Sequence, residues 1–274
     1  MAEPEYESLP AWSLPAGTEH TIGTDWPEPV TAEWAWAGAS GAGVRVCVLD
    51  SGVEQGHPLV GEVQRAVVVE VDDDGGAVVS DDDEGDLCGH GTACAGIVRS
   101  IAPDCELTSA RVLGAGYTGS GEVLLAGLRW AVEQGFDVVN MSLSTTKQRF
   151  AAALHELAEA AYFKRATIVA SAHNMSVESY PWRFASVISV GSHEEDDPLV
   201  FYANPEPPVE FFARGVEVPV AWLGGETVRS TGNSFAAPHL SGICALIRSK
   251  HPNLTPFELK SVLYLIASNV GRGT

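Results

Sequence analysis

The chain has 274 residues, 45% of them hydrophobic, so it is long enough to bury the core of one large domain. Its 36 acidic against 16 basic residues give a formal net charge of −20, which disfavours nucleic acid as a partner because the phosphates would be repelled. No apolar run reaches the length of a membrane span, and the N-terminus lacks the basic and apolar regions of a signal peptide. We therefore expect a cytoplasmic protein with no membrane partner.

The five cysteines agree with a reducing compartment, since their number is odd and most of them lie in apolar or small-residue segments. Their spacing does not suit a zinc site. We therefore predict buried free thiols.

The N-terminal third contains an arm, a short helix and a strand that ends in a carboxylate. Residues 1–28 are rich in Pro, Glu and Gly without sustained periodicity, which predicts an extended arm before a single domain over residues 29–274. A short helix is predicted over residues 30–36. Residues 44–49 form an apolar run typical of a buried parallel strand, and Asp50 stands at its carboxyl end.

Two acidic runs follow this strand, at residues 72–74 and 81–86. We predict a solvated hairpin or loop for them. A cation site and a site that reads basic residues in a substrate are the alternatives, although the spacing does not repeat an EF-hand loop. Beyond the runs, Gly89-His90-Gly91 opens a helix of small residues and presents His90 at its start.

The remaining chain alternates between strand and helix patterns. The predicted elements are a strand at 106–113, a helix at 121–134, a strand at 136–143, a helix at 149–164, a strand at 166–171, a strand at 211–213 and a helix at 256–267. This alternation predicts an α/β fold whose mostly parallel central sheet is flanked by helices on both faces.

Ser234 immediately precedes an apolar, helix-like run and follows Gly232. A serine at a helix N-terminus lies where free backbone N–H groups and the helix dipole stabilise an oxyanion. Because serine alone is a weak nucleophile, it needs a histidine base that a carboxylate orients. His90 and Asp50 are the candidate partners.

Three motifs give the chain a resemblance to subtilisin-like serine proteases, the subtilases. Residues 48–53 resemble the aspartate motif of that family, residues 89–92 its histidine motif and residues 232–239 its serine motif, in the family's order. The resemblance covers about residues 30–270. It implies a subtilisin-like three-layer fold, a peptide or protein substrate and an acyl-enzyme mechanism without a cofactor. Asn174 matches the family asparagine that donates its amide to the oxyanion.

The resemblance also implies substrate contacts. Gly114, Ala115 and Gly116 match a glycine-rich segment that pairs with the substrate backbone as an added strand. The candidates around the pocket for the side chain before the scissile bond are Ser142, Leu143, Ser144, His173 and Asn233. Where most relatives have glycine, this chain carries Ser144, Thr145 and His173, and we therefore expect a selective processing enzyme that performs poorly on large apolar side chains.

The metal site typical of many extracellular relatives lacks its parts here. The connection after the His90 helix is too short for the calcium loop, and Leu59 stands where the family has an aspartate of that site, so no metal is predicted. Cys94 occupies a position at which a thiol makes some subtilases sensitive to heavy-metal reagents.

Two alternative functions use the same residues. A transpeptidase or macrocyclase of a ribosomal-peptide pathway would let an amine, rather than water, attack the acyl-enzyme. A catalytically inactive, peptide-binding pseudoprotease is disfavoured by the intact set of Asp50, His90, Ser234 and Asn174.

Overall fold

The structure is a computed structural model that describes residues 26–72 and 76–270. The predicted arm, residues 1–28, therefore lies almost wholly outside the described residues. The helices and strands belong to the unit that begins at Thr31. Among the described residues, no helix combines the length and the apolar character needed to cross a bilayer.

The described residues form helices on both sides of a central sheet. The helices are α1 (Ala32–Trp36), α2 (His90–Ile101), α3 (Gly121–Gln134), α4 (Ala151–Phe163), α5 (Asn233–Lys250) and α6 (Pro256–Ile266). The strands are β1 (Arg45–Asp50), β2 (Arg65–Val71), β3 (Ala77–Asp81), β4 (Glu106–Arg111), β5 (Val138–Met141), β6 (Thr167–Ser171), β7 (Ile188–His193), β8 (Phe201–Ala203), β9 (Phe211–Arg214), β10 (Val218–Trp222) and β11 (Glu226–Ser230).

Nine strands form one sheet in the order β3-β2-β4-β1-β5-β6-β7-β9-β8, and β10 pairs with β11 in a separate hairpin. All neighbours from β2 to β9 in that order are parallel, and only β3 and β8 run antiparallel at the two edges. The predicted α/β class with a mostly parallel sheet is thus confirmed.

The side-chain alternation of β1 determines what each face of the sheet meets. Cys47 and Leu49 point into the large core that α3 and α4 cover. Because successive residues of a strand point to opposite faces, Val46, Val48 and Asp50 face the other side, where α2 and α5 pack. Burying a side chain such as Leu49 contributes roughly 1.5–3 kcal/mol, so the alternation fixes the face on which Asp50 lies.

The direction of strand addition reverses between β1 and β5. The strands that follow β1 in the chain, β2, β3 and β4, all lie on one side of β1, with β4 next to it. The later strands β5, β6 and β7 lie on the other side of β1. In open parallel sheets, ligands bind at the carboxyl ends of the strands at such a switch point. The carboxyl end of β1 is therefore the place to look for a site.

Candidate active site

A cleft of about 330 Å³ opens at this switch point. His90, Ser142, Asn174 and Ser234 all line it, and Asp50 lies buried behind His90. The four residues predicted for catalysis, which are Asp50, His90, Asn174 and Ser234, are far apart in sequence but meet at one edge of the sheet.

Asp50 and His90 form a close pair. His90 Nδ1 lies 2.7 Å from Asp50 Oδ1, and the Asp50 side chain is fully buried while that of His90 is 12% exposed. The Ser51 backbone N–H also donates to Asp50 Oδ1 at 2.8 Å, so this oxygen accepts from both His90 and Ser51. With Nδ1–H donated to Asp50, the Nε2 of a neutral His90 ring is an acceptor, as a general base requires.

The charge of Asp50 also affects the pKa of His90, the candidate general base. Burial by itself lowers the pKa of His90, but the charge and hydrogen bond of Asp50, together with the contact with Cys94, outweigh burial and raise that pKa above its ordinary value of 6.5. Since only neutral imidazole accepts the proton of serine, we expect kcat/KM to rise with pH along a limb whose midpoint lies above 6.5. A pH series on one peptide measures it, and a midpoint at or below 6.5 would contradict the assignment of His90 as the base.

The first turn of α2, which carries His90, is held by Asp86 and Ser51. Asp86 Oδ2 accepts from the N–H and the hydroxyl of Thr92 at 2.8 and 2.6 Å, and Asp86 Oδ1 accepts from the Gly89 N–H at 2.9 Å. Ser51 Oγ donates to Asp86 Oδ1 at 2.8 Å and accepts from the Gly91 N–H at 2.9 Å. These bonds pair the otherwise orphaned N–H groups of the helix start. Asp86 therefore positions His90, a role that the sequence analysis did not assign.

The acidic run that contains Asp86 is built into the structure rather than only solvated. Asp82 is 5% exposed and accepts two hydrogen bonds from Arg111, at 2.8 and 3.0 Å. Glu84 also contacts Arg111, at 2.9 Å. The predicted hairpin exists as the antiparallel pair of β2 and β3; residues 73–75, between the two strands in the sequence, lie outside the described residues.

Ser234 is the second residue of α5, as predicted for a nucleophile at a helix start. Pro238 stands four residues later in the same helix and has no N–H, so it leaves the Ser234 carbonyl without a helical partner. Ser142 Oγ, just beyond β5, donates to that carbonyl instead, at 2.7 Å. Because Pro238 cannot pair with the Ser234 carbonyl, the position of Ser234 depends on the hydrogen bond from Ser142, just beyond the end of β5.

A buried polar network continues from this contact. Asn140 Nδ2 donates to Ser142 Oγ at 3.1 Å, and Ser241 Oγ of α5 donates to Asn140 Oδ1 at 3.0 Å. All three side chains are buried, so each bond pairs polar atoms that water does not reach. Ser142 was predicted to contact substrate; it lines the cleft, but its hydroxyl is used to hold Ser234.

A hydrogen bond between Asn233 and Asn174 uses the side-chain oxygen of Asn174 and leaves its side-chain NH₂ group at the cleft. The Asn233 backbone N–H donates to Asn174 Oδ1 at 2.9 Å. A β-carbon at Gly232 would lie 3.5 Å from Asn174 Nδ2 and 3.3 Å from Ser234 Oγ, so both atoms border the same space. The contact with Asn233 therefore leaves the Asn174 Nδ2–H donor beside the nucleophile, the arrangement that an oxyanion donor needs.

The side chain of Asn233 differs from its predicted place in the substrate pocket. Its Oδ1 accepts from the N–H and hydroxyl of Ser192, both at 2.9 Å, and its Nδ2 donates to the Ala172 carbonyl at 3.2 Å. It does not line the cleft. Asn233 instead ties the start of α5 to the ends of β6 and β7.

The glycine-rich segment, predicted to pair with the substrate backbone, forms a turn beside the cleft. Gly114 donates its N–H to the Thr118 carbonyl at 2.8 Å, which closes a turn over residues 114–118. The cleft is lined by Tyr117 and Gly119, beyond the predicted Gly114-Ala115-Gly116. Leu143, Ser144 and His173, which were predicted to contact the substrate, line the cleft.

Cys94 lies beneath the catalytic pair. Its Sγ is 3.9 Å from Asp50 Oδ2, 4.0 Å from His90 Nδ1 and 3.6 Å from the Ser234 carbonyl. Burial raises the pKa of Cys94, which keeps it a neutral thiol. Within the described residues, Asp50, His90 and Cys94 are the one group with metal-ligating atoms close enough to converge, and they belong to the catalytic cluster itself.

Comparisons with known proteins agree with this geometry. The profile of the subtilase family matches residues 41–274. Subtilisin DY of Bacillus licheniformis is 29% identical over 249 residues, which cover 85% of this chain and 87% of that protein. The M-protease of Shouchella clausii is 29% identical over 247 residues, which cover 85% of this chain and 61% of that protein.

A solved structure described as a cold adapted subtilisin-like serine proteinase has a TM-score of 0.68 and 27% identity to this chain, with 82% of each chain covered. The sequence match, the shared fold and the clustering of Asp50, His90 and Ser234 point to the same family. The chain belongs to the subtilase family and is a subtilisin-like serine endopeptidase.

Proposed function

We propose that this endopeptidase is a selective processing enzyme, which cleaves few sites in peptide or protein substrates. The observation that carries the proposal is the presence of polar side chains in the two walls of the cleft that follow β5 and β6. Ser144 and Thr145 line one wall, after β5, and His173 lines the other, after β6. A pocket for large apolar side chains would instead need room and an apolar lining.

The two walls are also joined to each other. Thr145 and Tyr180 exchange both backbone hydrogen bonds, N–H to carbonyl, at 2.9 and 3.0 Å. This bridge links the segment after β5 to the segment after β6. The walls are therefore held together by the backbone, which limits how far the pocket opens for a larger side chain.

The orientation of His173 supports a polar pocket. Its Nδ1 accepts the Met175 backbone N–H at 3.0 Å, so in the neutral ring Nε2 carries the proton. A large apolar side chain beside that ring would leave the N–H unpaired and out of water. Such a loss costs more than the lost contact area suggests.

The test varies one substrate position, the residue immediately before the scissile bond, and compares the wild type with His173→Gly. We expect the variant to gain about tenfold or more in kcat/KM on Phe or Leu peptides, since glycine adds volume and removes the polar ring. Met175→Ala is the matched control, because Met175 is the neighbouring exposed side chain but does not line the cleft. If the wild type and His173→Gly accepted the same broad range of residues at this substrate position, the proposal of a selective pocket would be wrong.

The fate of the acyl-enzyme is read from the same reactions. In the proposed reaction Ser234 attacks the carbonyl, His90 passes the proton to the leaving amine and water resolves the acyl-enzyme. Product masses separate this outcome from transpeptidation, since a linear product gains one water whereas a cyclic product does not.

We also propose that the enzyme acts in the cytoplasm. All five cysteines are free thiols, and Cys47, Cys94, Cys105 and Cys244 are buried, which suits a reducing compartment. Fractionation of the source cells tests this, and activity confined to the outside of the cell would contradict it.

A further inference from the structure

The cleft contains an aromatic side chain that the catalytic mechanism does not use. The Tyr117 ring meets the His90 ring edge-on, with centroids 5.8 Å apart and planes at 90°. Its hydroxyl donates to the Cys88 carbonyl at 3.3 Å, just before α2. Tyr117 is 52% exposed and lines the cleft. The ring therefore forms part of the wall beside the catalytic imidazole.

The backbone at Tyr117 is in a conformation that glycine tolerates better than tyrosine. Its φ is 61°, in the left-handed region, which is uncommon for residues other than glycine and unfavourable for a bulky side chain. The turn is closed around it by the Gly114 to Thr118 hydrogen bond and by the Thr118 hydroxyl, which donates to the Ala115 carbonyl at 3.3 Å. Strain of this kind at the rim of an active site suggests a functional use for the side chain.

The path of a substrate indicates what that use is. A peptide bound as an added strand points successive side chains to opposite sides. The walls formed by Ser144 and His173 follow β5 and β6, on one side of the sheet order, whereas Tyr117 follows β4 on the other side. The substrate residue immediately before the scissile bond enters the pocket between the walls of Ser144 and His173. The substrate residue one position earlier in the peptide then points to the opposite side, toward His90 and Tyr117.

We propose that Tyr117 fills the subsite for this second residue on the acyl side, so that the enzyme requires a small residue there, glycine or alanine. This inference rests on the proposed function and adds a second selective position to it. Tyr117 acts by exclusion, because its ring takes the volume beside the imidazole that a branched or aromatic substrate side chain would need.

The experiment measures how fast peptidyl phosphonates inactivate the enzyme by bonding to Ser234. The residue next to the phosphorus is held constant, and the second residue is Gly, Ala, Leu or Phe. This readout does not depend on whether water or an amine resolves an acyl-enzyme. For the wild type we expect inactivation with Gly or Ala to be at least about tenfold faster than with Leu or Phe.

Two variants separate the ring from its hydroxyl. Tyr117→Asn removes the ring but keeps a residue that tolerates the left-handed turn, and it should bring the Leu and Phe rates to within about threefold of the Gly rate. Tyr117→Phe keeps the bulk and should retain the wild-type preference. Tyr264→Asn is the control, since Tyr264 has a similar exposure of 54% on α6, away from the cleft.

Two results would overturn the proposal. One is a wild-type profile that is flat across the four residues, and the other is a preference for Gly that Tyr117→Asn leaves unchanged while its thermal unfolding matches the wild type. Neither result bears on the His173 test, which varies the other substrate position. Failure of this inference and failure of the proposed function are therefore distinguishable.

Discussion

Ser234→Ala is expected to lower kcat by about 10⁶-fold, the loss that removal of the nucleophile causes in subtilisin, or roughly 8 kcal/mol of transition-state stabilisation. Ser234 lines the cleft together with His90, and its position depends on the start of α5 and on Ser142. The substitution removes one oxygen and leaves the backbone contacts in place. The measurement is peptide hydrolysis followed by mass spectrometry.

Two controls make the Ser234 result specific. Ser261→Ala removes a hydroxyl whose hydrogen bond within the described part of the chain is to the Phe257 carbonyl of its own helix, and it should keep full activity. A fluorophosphonate probe should label the wild type and the Ser261 variant at Ser234, but not Ser234→Ala. Residual activity within a hundredfold of the wild type in Ser234→Ala, or absence of labelling in folded wild type, would refute the nucleophile assignment; the second result would favour the pseudoprotease.

Asn174→Ala is expected to lower kcat by about 10²–10³-fold, or about 2.7–4 kcal/mol, as loss of the corresponding donor does in subtilisin, with KM little changed. The Nδ2 group borders the space beside Ser234 Oγ, where negative charge develops in the transition state. A donor that acts on developing charge stabilises the transition state more than the bound substrate, which accounts for the expected split between kcat and KM.

A second substitution separates donation from anchoring. Asn174→Asp keeps an oxygen that accepts the Asn233 N–H but replaces the Nδ2 donor by a carboxylate oxygen. It should lose at least as much activity as Asn174→Ala. Asn253→Ala, an exposed asparagine before α6, is the matched control. If Asn174→Asp kept activity within a few-fold of the wild type, the role of Asn174 would be to hold Asn233 and not to bind the oxyanion.

The sequence predicted the fold well because its signals are local and periodic. The apolar run before Asp50 and the alternation of strand and helix patterns are properties of short windows, and burial forces them into one parallel sheet. The same windows predicted the helix starts at His90 and Ser234. Strand ends and helix starts bring these residues to one edge of the sheet.

The errors at the site have a common physical cause, since each depends on contacts between distant residues. Asp86 lies in an acidic run that looks solvated, and only the tertiary structure brings it to the first turn of α2. The resemblance to subtilases placed Asn233 around the substrate pocket, but the direction of its side chain is decided by Ser192, forty-one residues away. The loop with Tyr117 has no periodicity from which its register could be predicted.

A growing polypeptide of this protein contains Asp50 and His90 long before Ser234 leaves the ribosome. Helix α5 alone would leave the Ser234 carbonyl unpaired, since Pro238 offers it no N–H, and the missing partner, Ser142, belongs to the segment after β5. The nucleophile therefore reaches its working position only when α5 docks on the assembled sheet. Proteolytic activity therefore requires α5 as well as the sheet, and a chain that stops before α5 contains Asp50 and His90 but no nucleophile.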